Sequence, residues 1–116
     1  MKILVILNDA PYGTEKVYNA LRIAMQAHKG WKDEVWIFLL ADVVGCAIPD
    51  QHTPQGYHNV ERMLRSVLSK GGKVKACRSC LDTRGFQLVH LIEGVERSSM
   101  AEVTHWGREA DKTVPF

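Results

Sequence analysis

The sequence predicts an α/β protein in which a parallel sheet has helices on both faces. Short aliphatic runs alternate along the chain with amphipathic helical patterns, as in successive βαβ units. The runs Ile3–Leu7 and Val35–Leu40 contain no alternating polar residues, so both strands are expected to be buried on both faces. With 116 residues, no internal repeat and no linker, the chain is expected to form a single domain over residues 1–116.

The first half of the chain predicts two strands, one helix and a long loop. Residues 8–13 interrupt the apolar pattern after the first strand, and a helix is expected over 14–28 with Gly30 as its left-handed C-cap. After the second strand, the glycines and prolines of residues 41–56 indicate irregular structure, with a helical turn in its first half.

The next segment predicts a second helix and a third strand. The helix is closed by Gly71 and Gly72, and its apolar face is expected to comprise Tyr57, Val60, Met63, Leu64, Val67 and Leu68. Residues 74–77 form the third strand, residues 86–92 are expected to be helical, and a brief fourth strand is expected around Val95.

The C-terminal segment predicts a helix followed by an edge strand. Ser99 and Glu102 have the spacing of a capping box. The inner face of this helix is expected to comprise Met100, Val103, Trp106 and Ala110. Residues 113–116 can form only an edge strand, because Pro115 has no N–H for a second neighbour.

Composition narrows the function classes. Apolar residues make up 46% and charged residues 24% of the chain, as in ordinary globular proteins. A net charge of +2 gives no general electrostatic preference for nucleic acid or a membrane surface, so neither is an expected partner. The apolar runs are too short to span a membrane. Three cysteines, an odd number, argue against a secreted disulfide scaffold and favour a cytoplasmic location.

The segment from Cys77 to Gly85 is the most informative for chemistry. Cys77 closes a predicted strand and precedes a turn or helix, so backbone N–H groups are expected to favour its thiolate form. Arg78 and Arg84 could add positive charge. The alternative is that Cys77 is a small buried apolar side chain at a strand end.

The spacing of Cys77 and Cys80 allows three interpretations. Zinc binding would need a second ligand pair, and His52 and His58 lie upstream in the reverse of the usual order, so no metal is expected. Disulfide exchange fits a cysteine pair at a helix start. Sulfur transfer through a persulfide needs one nucleophilic thiol and an accessible pocket, and it fits as well.

The loop after the first strand is the second candidate region. It lacks the Gly-Lys-Ser/Thr signature of a phosphate loop, so no nucleotide cofactor is expected. Asn8 and Tyr12 are expected to line a pocket beside Cys77, because the carboxyl ends of parallel strands meet at one edge of the sheet. Cys46 lies alone in the long loop and is interpreted as incidental to the chemistry.

Four segments of the chain resemble the DsrE/DsrF-like family and its YchN-type branch: residues 8–15, 56–59, 77–85 and 110–114. The resemblance implies a three-layer α/β/α sandwich around a mostly parallel five-stranded sheet. Members with assigned roles are sulfur carriers, and their persulfide-bearing cysteine stands eight residues before the glycine of an Arg-Gly pair, which matches Cys77 here. Cys80 corresponds to the additional cysteine of the branch.

The resemblance also implies a substrate-binding set and an assembly. The set consists of Asn8, Tyr12, Arg78, Asp82, Arg84 and Gly85. The assembly is a homo-oligomer, a hexamer built as a trimer of dimers. The leading hypothesis is therefore a cytoplasmic sulfur-relay protein that receives sulfur from a donor protein on Cys77 and passes it to an acceptor. The alternatives are a thiol–disulfide enzyme or redox sensor using Cys77 and Cys80, and a non-catalytic oligomeric ligand-binding module.

Overall fold

A computed structural model describes residues 1–116 and contains one five-stranded sheet. Its strands are β1 (Lys2–Leu7), β2 (Glu34–Leu39), β3 (Lys73–Cys77), β4 (Val95–Ser98) and β5 (Lys112–Pro115). They are arranged in the order β4-β3-β2-β1-β5, and every neighbouring pair is parallel. The prediction of a parallel sheet is confirmed, and β5 is an edge strand as Pro115 requires.

Helices cover both faces of this sheet. They are α1 (Lys16–Trp31), a 3₁₀ helix (Ala41–Ala47), α2 (Val60–Ser69), α3 (Arg78–Thr83) and α4 (Met100–Glu109). The chain moves in one direction from β1 to β4, so right-handed crossovers place α1, α2 and α3 on one face. It then returns across the sheet to β5, which places α4 on the other face, where Trp106 stacks on Trp36 of β2. None of the helices combines the length and hydropathy needed to cross a membrane.

The core is one cluster of 27 buried residues centred on β1 and β2. Every residue of β2 after Glu34 is buried, because β2 has a strand on each side and helices on each face. This burial is what the unbroken apolar run predicted. The 3₁₀ helix after β2 agrees with the helical turn expected in the first half of residues 41–56.

The predicted helix over residues 86–92 is wrong. This segment consists of a turn and irregular backbone. Its polar groups bond to distant parts of the chain: the Ile92 N–H donates to the Ala47 carbonyl at 2.8 Å, and the Arg97 guanidinium donates to the carbonyls of Phe86 and Val89. These tertiary hydrogen bonds replace the local bonds that a helix would have made.

The two long N-terminal helices have different limits from those predicted. α1 continues through Gly30 to Trp31, and Lys32 supplies the left-handed C-cap with φ of 59° and an N–H bonded to the carbonyls of Ala27 and His28. α2 begins at Val60 because Asn59 caps it, accepting a hydrogen bond from the Arg62 N–H. The expectation that Tyr57 belongs to the apolar face of α2 is therefore wrong.

The start of α4 confirms one expectation and contradicts another. The Ser99 side chain accepts a hydrogen bond from the Glu102 N–H, which is one half of the expected capping box, while the Glu102 carboxylate accepts from Lys75 and not from the Ser99 N–H. Met100, expected on the inner face, is exposed. Helical side chains lean over the preceding turn, and no turn precedes Met100, the first residue of α4.

Candidate functional site

The candidate site lies at the carboxyl edge of the sheet, where β3 ends and α3 begins. Cys77 is the last residue of β3 and also the N-cap of α3. Its Sγ accepts a hydrogen bond from the Cys80 N–H at 3.4 Å and lies 3.3 Å from the Ser79 hydroxyl oxygen. The chain therefore turns so that its first helical residues surround the sulfur of Cys77.

Cys77 is buried, yet its sulfur lies among polar groups. The residue is only 4% exposed. Burial by itself would raise the pKa of the Cys77 thiol, but hydrogen bonds from the side chains and N–H groups of Cys80 and Ser79 bring it below its ordinary value. Cys77 is therefore more readily ionised than an ordinary cysteine.

Cys80 is half-buried and has the opposite electrostatic character. Its Sγ accepts a hydrogen bond from the Ala41 N–H at 3.3 Å, which connects α3 to the 3₁₀ helix that follows β2. Burial and the adjacent Cys77 sulfur raise the pKa of Cys80, and the Ala41 N–H only partly offsets this. Ala41 itself has a left-handed backbone with φ of 54°. The pair thus combines one thiolate-prone sulfur with one that retains its proton.

The two arginines of the motif lie in different surroundings. Arg84 donates to the Asp42 carboxylate at 2.7 and 3.0 Å and to the Cys80 carbonyl at 3.0 Å, and its charge partly lowers the pKa of Cys80. The charge of Arg78 contributes instead to lowering the pKa of Glu102, after the larger effect of Lys75. The groups that lower the pKa of Cys77 belong to the first turn of α3.

Asp82 and Gly85 lie at the end of α3 and are exposed. The Gly85 N–H donates to the Asp82 carbonyl at 3.1 Å, and Gly85 has φ of 79°. Glycine adopts this left-handed conformation without steric cost, so Gly85 allows the chain to leave the short helix. In this structure both residues shape the turn that follows the cysteine pair.

The loop after β1 contributes Asn8 and Tyr12. Asn8 is exposed, and its N–H donates to the Phe116 carbonyl at 2.9 Å. The Tyr12 hydroxyl donates to the Gln51 side-chain oxygen at 2.7 Å and accepts from the Val60 N–H at 3.0 Å, so Tyr12 joins this loop to the start of α2. Their role in lining a pocket beside Cys77 stays a prediction.

Sequence reasoning missed Ser79, Ala41 and Asp42 as members of the site. Ser79 was inside the quoted motif, and its hydroxyl could have been considered as a donor to the sulfur. Nothing in the local sequence around Ala41 and Asp42 indicates that they belong to the site.

Cys46 is buried without polar partners near its sulfur, and burial raises its pKa to about 12. Nowhere in the chain do three His, Cys, Asp or Glu side chains converge to hold a metal ion.

The parallel sheet and its paired thiols define the protein as a small α/β protein with a cysteine site at the carboxyl edge of the strands. The family model described as the DsrE/DsrF-like family matches residues 1–116. Protein YchN of Escherichia coli K12 is 34% identical over 116 residues, with 99% of this chain and 98% of YchN covered. An uncharacterised protein of Methanocaldococcus jannaschii is 37% identical over 116 residues, with both chains fully covered.

Two solved structures are similar to this fold. The crystal structure of the YchN protein from E. coli has a TM-score of 0.93 at 34% identity and covers 99% of this chain and 98% of its own. Protein MTH1491 of Methanobacterium thermoautotrophicum, of unknown function, has a TM-score of 0.74 at 14% identity, with 99% and 97% covered, and supports the fold alone. The chain belongs to the DsrE/DsrF-like family.

Proposed function

We propose that this protein is a sulfur-relay protein that carries a sulfane sulfur as a persulfide on Cys77. The observation that supports the proposal most directly is the contrast between the two neighbouring thiols. The pKa of Cys77 is lowered by hydrogen bonds, whereas the pKa of Cys80 is raised by burial and by the Cys77 sulfur. A thiolate is the nucleophilic form of cysteine, so Cys77 is the member of the pair that attacks a donor.

In the loading step, the Cys77 thiolate attacks the outer sulfur of a donor protein's persulfide. The S–S bond of the donor breaks, the donor cysteine leaves as a thiolate, and a new S–S bond forms on Cys77. The same N–H and hydroxyl groups that stabilise the Cys77 thiolate, from Cys80 and Ser79, are positioned to stabilise the anionic persulfide. In the delivery step, an acceptor thiolate attacks the outer sulfur and regenerates the Cys77 thiolate.

A second candidate function is supported by the contact between the two cysteine side chains. The Cys80 thiolate can attack the inner sulfur of the Cys77 persulfide, which forms a Cys77–Cys80 disulfide and releases the outer sulfur as hydrosulfide. A thiol reductant must then reduce the disulfide before another cycle. Under this alternative the protein is a thiol–disulfide enzyme or redox sensor, and Cys80 is essential for it.

The decisive experiment is intact-protein and peptide mass spectrometry after incubation with a persulfide donor. The wild-type protein and the Cys80→Ser variant are expected to gain one sulfur atom on the peptide containing Cys77. Cys77→Ser is expected to gain none, and Cys46→Ala serves as the control that retains loading. Absence of the added sulfur on Cys77 in both wild type and Cys80→Ser would contradict the relay.

Sulfide release separates the two candidates. The relay predicts that Cys80→Ser still loads sulfur and still delivers it to an acceptor thiol. The thiol–disulfide alternative predicts that Cys80→Ser abolishes turnover, measured as sulfide released in the presence of a thiol reductant. The non-catalytic alternative predicts that Cys77→Ser changes neither assembly nor any ligand binding and that no sulfur is ever gained.

The proposal includes a homo-oligomer, a hexamer built as a trimer of dimers, working with donor and acceptor proteins in the cytoplasm. An exposed apolar surface formed by Met1, Ile23 and Trp31 supports self-association, since Trp31 is 79% exposed. Light scattering coupled to size-exclusion chromatography tests it: wild type is expected to elute as a hexamer, and Trp31→Lys is expected to reduce the mass. A wild-type monomer would contradict this part of the proposal.

A further inference from the structure

A groove between α1 and α2 concentrates positive charge on the outer surface of the protein. It has a volume of about 760 Å³ and runs from Tyr57 and His58, before α2, to the C-terminal ends of both helices. The basic groove is defined by five exposed cationic side chains: Arg22, Lys29, Lys32, Arg62 and Lys70.

The charge of the basic groove is not neutralised within the protein. Five of the fifteen lysines and arginines line it, but none of the thirteen aspartates and glutamates does. No carboxylate lies within salt-bridge distance of these cations, whereas Lys16, Arg65, Lys75 and Arg84 are each paired. Arg22 and Lys70 contact only neutral groups: Arg22 donates to Asn19 and lies over the Tyr18 ring, and Lys70 donates to Ser66. The groove therefore presents free positive charge to a ligand.

Aromatic rings form one end of the basic groove. The His58 ring is stacked between Tyr18 at 4.2 Å and Tyr57 at 4.3 Å, measured between ring centroids. Tyr57 remains 49% exposed although its ring is held against His58. A tyrosine fixed by stacking and still open to solvent is a platform on which a flat aromatic ligand can stack.

We propose that the basic groove binds single-stranded nucleic acid, with its phosphates on the cations and one base on Tyr57. Nonspecific single-strand binding sites combine these two elements, a cationic channel for the backbone and an aromatic face for the bases. The net charge of +2 argued against a nucleic-acid partner, but it is a sum over the whole chain and does not describe the charge of this groove. The ten lysines and arginines outside the groove are outnumbered by the thirteen acidic residues, so the side chains outside the groove have a net negative charge.

The exposed ring of Tyr57 favours nucleic acid over an acidic protein as the ligand of the basic groove. Cations alone would suit any polyanion, but only a ligand with flat bases gains from an exposed ring next to the charges. The groove also differs from the cysteine site in composition, since neither Cys77 nor Cys80 lines it. This inference does not depend on the sulfur chemistry of Cys77.

The test is fluorescence anisotropy with a short labelled oligouridylate and a matching oligothymidylate, titrated at several salt concentrations. Binding of either oligonucleotide is expected, with a slope of log affinity against log salt of about −3.5 if all five cations contact phosphate. The double variant Lys29→Gln, Arg62→Gln is expected to weaken binding by at least tenfold and reduce the slope by about 1.4. The charge-matched control is Arg108→Gln, Lys112→Gln, whose sites lie on α4 and β5 outside the groove.

Substitutions of Tyr57 distinguish nucleic acid from other polyanions as the ligand. Tyr57→Leu is expected to weaken oligonucleotide binding roughly tenfold, whereas Tyr57→Phe retains it, because stacking needs the ring and not the hydroxyl. Polyglutamate is expected to bind more weakly and without dependence on Tyr57. The proposal is overturned if neither oligonucleotide binds, if the control variant weakens binding equally, or if polyglutamate competes as an equal.

A second copy of this chain is the remaining occupant to exclude. The oligomeric mass of the groove variants, measured by light scattering, is expected to equal that of wild type. A lower mass for Lys29→Gln, Arg62→Gln would show that the groove is an interface between copies and would overturn the proposal. Sulfur loading of Cys77 in these variants is expected to be unchanged, so a failure here is distinguishable from a failure of the sulfur relay.

Discussion

Cys46 and Cys77 are both buried at the same edge of the sheet, Cys46 more deeply, and the pKa values of their thiols are shifted in opposite directions. Cys46 is fully buried in the 3₁₀ helix after β2, and burial raises its pKa to about 12. Cys77 is 4% exposed at the start of α3, and the pKa of its thiol is lowered. The difference has two causes: Cys46 is the more deeply buried of the two, and Cys77 receives hydrogen bonds from Cys80 and Ser79, whereas no such donor acts on Cys46.

This comparison shows that burial alone does not determine which cysteine of this protein is reactive. Removing a thiolate from water is unfavourable unless polar groups replace the lost hydration. The start of α3 supplies those groups within a single turn, and the 3₁₀ helix does not supply them to Cys46.

The largest expected difference is in the alkylation rates of the two thiols at neutral pH. With a pKa of about 12, Cys46 is ionised in about 10⁻⁵ of the molecules at neutral pH, some 10³-fold less than an ordinary thiol. Cys77 is therefore expected to react with iodoacetamide at least about 10³-fold faster, as followed by timed peptide mass spectrometry. In the unfolded protein the two should react alike. Equal rates in the folded protein would mean that burial outweighs the hydrogen bonds.

The second prediction concerns stability at alkaline pH. The folded pKa of Cys46 is raised, so the stability that depends on its neutral form is complete below the unfolded pKa of about 9 and is lost as pH rises towards 12. Between about pH 8 and pH 11 this corresponds to roughly 2–3 kcal/mol in the free energy of unfolding. Urea denaturation should show that the free energy of unfolding falls less between these pH values in Cys46→Ala than in wild type. Equal falls in the two proteins would contradict the raised pKa of Cys46.

The third prediction removes one donor from Cys77. Ser79→Ala deletes a hydroxyl 3.3 Å from the sulfur, and losing about 1 kcal/mol of hydrogen bonding to the thiolate raises the pKa of Cys77. Alkylation of Cys77 at a pH below its pKa should slow about fivefold. Thr83→Ala is the matched control, because that hydroxyl donates to the Cys80 carbonyl and contacts neither sulfur. An equal effect of both variants would indicate a general disturbance of α3.

The smallest expected effect is the difference between Arg84 and Arg78 in their influence on the pKa of Cys80. Arg84→Gln should raise the pKa of Cys80 slightly, because the exposed guanidinium acts on that thiol through solvent-screened charge. Arg78→Gln, the control, should leave Cys80 unchanged, since its charge acts on Glu102. Ultraviolet absorbance of the thiolate, titrated in a Cys77→Ser background, measures the shift. A larger effect of Arg78→Gln would reverse the assignment of the two arginines.

The sheet was predictable from sequence because its middle strands carry an unambiguous pattern. β1 and β2 lie inside the sheet with helices over both faces, so their side chains are apolar on both faces and their sequences are unbroken apolar runs. Residues 86–92 were not predictable, because long-range hydrogen bonds with Ala47 and Arg97 determine their conformation. The left-handed cap at Lys32 was missed because glycine is the residue usually expected there.

The position of the cysteine pair was predictable, but its surroundings were not. A cysteine at the end of a strand, followed by a helix, implies backbone donors close to its sulfur. The contact between Cys80 and Ala41 arises only because β2 and β3 are neighbours, with Leu39 opposite Ala76. Such a contact across 39 residues has no local signal in the sequence.

The Ala41 N–H, in a residue with left-handed backbone, is hydrogen-bonded to the Cys80 sulfur and so links that sulfur to the main chain. An alanine with φ of 54° is about 1 kcal/mol less stable than it would be in a right-handed conformation, and the hydrogen bond to the Cys80 sulfur opposes its relaxation. Once Cys80 enters a disulfide, its sulfur is a weaker acceptor and the restraint on this peptide loosens. A change of oxidation state at Cys80 would then alter the backbone angles of Ala41, just after the end of β2.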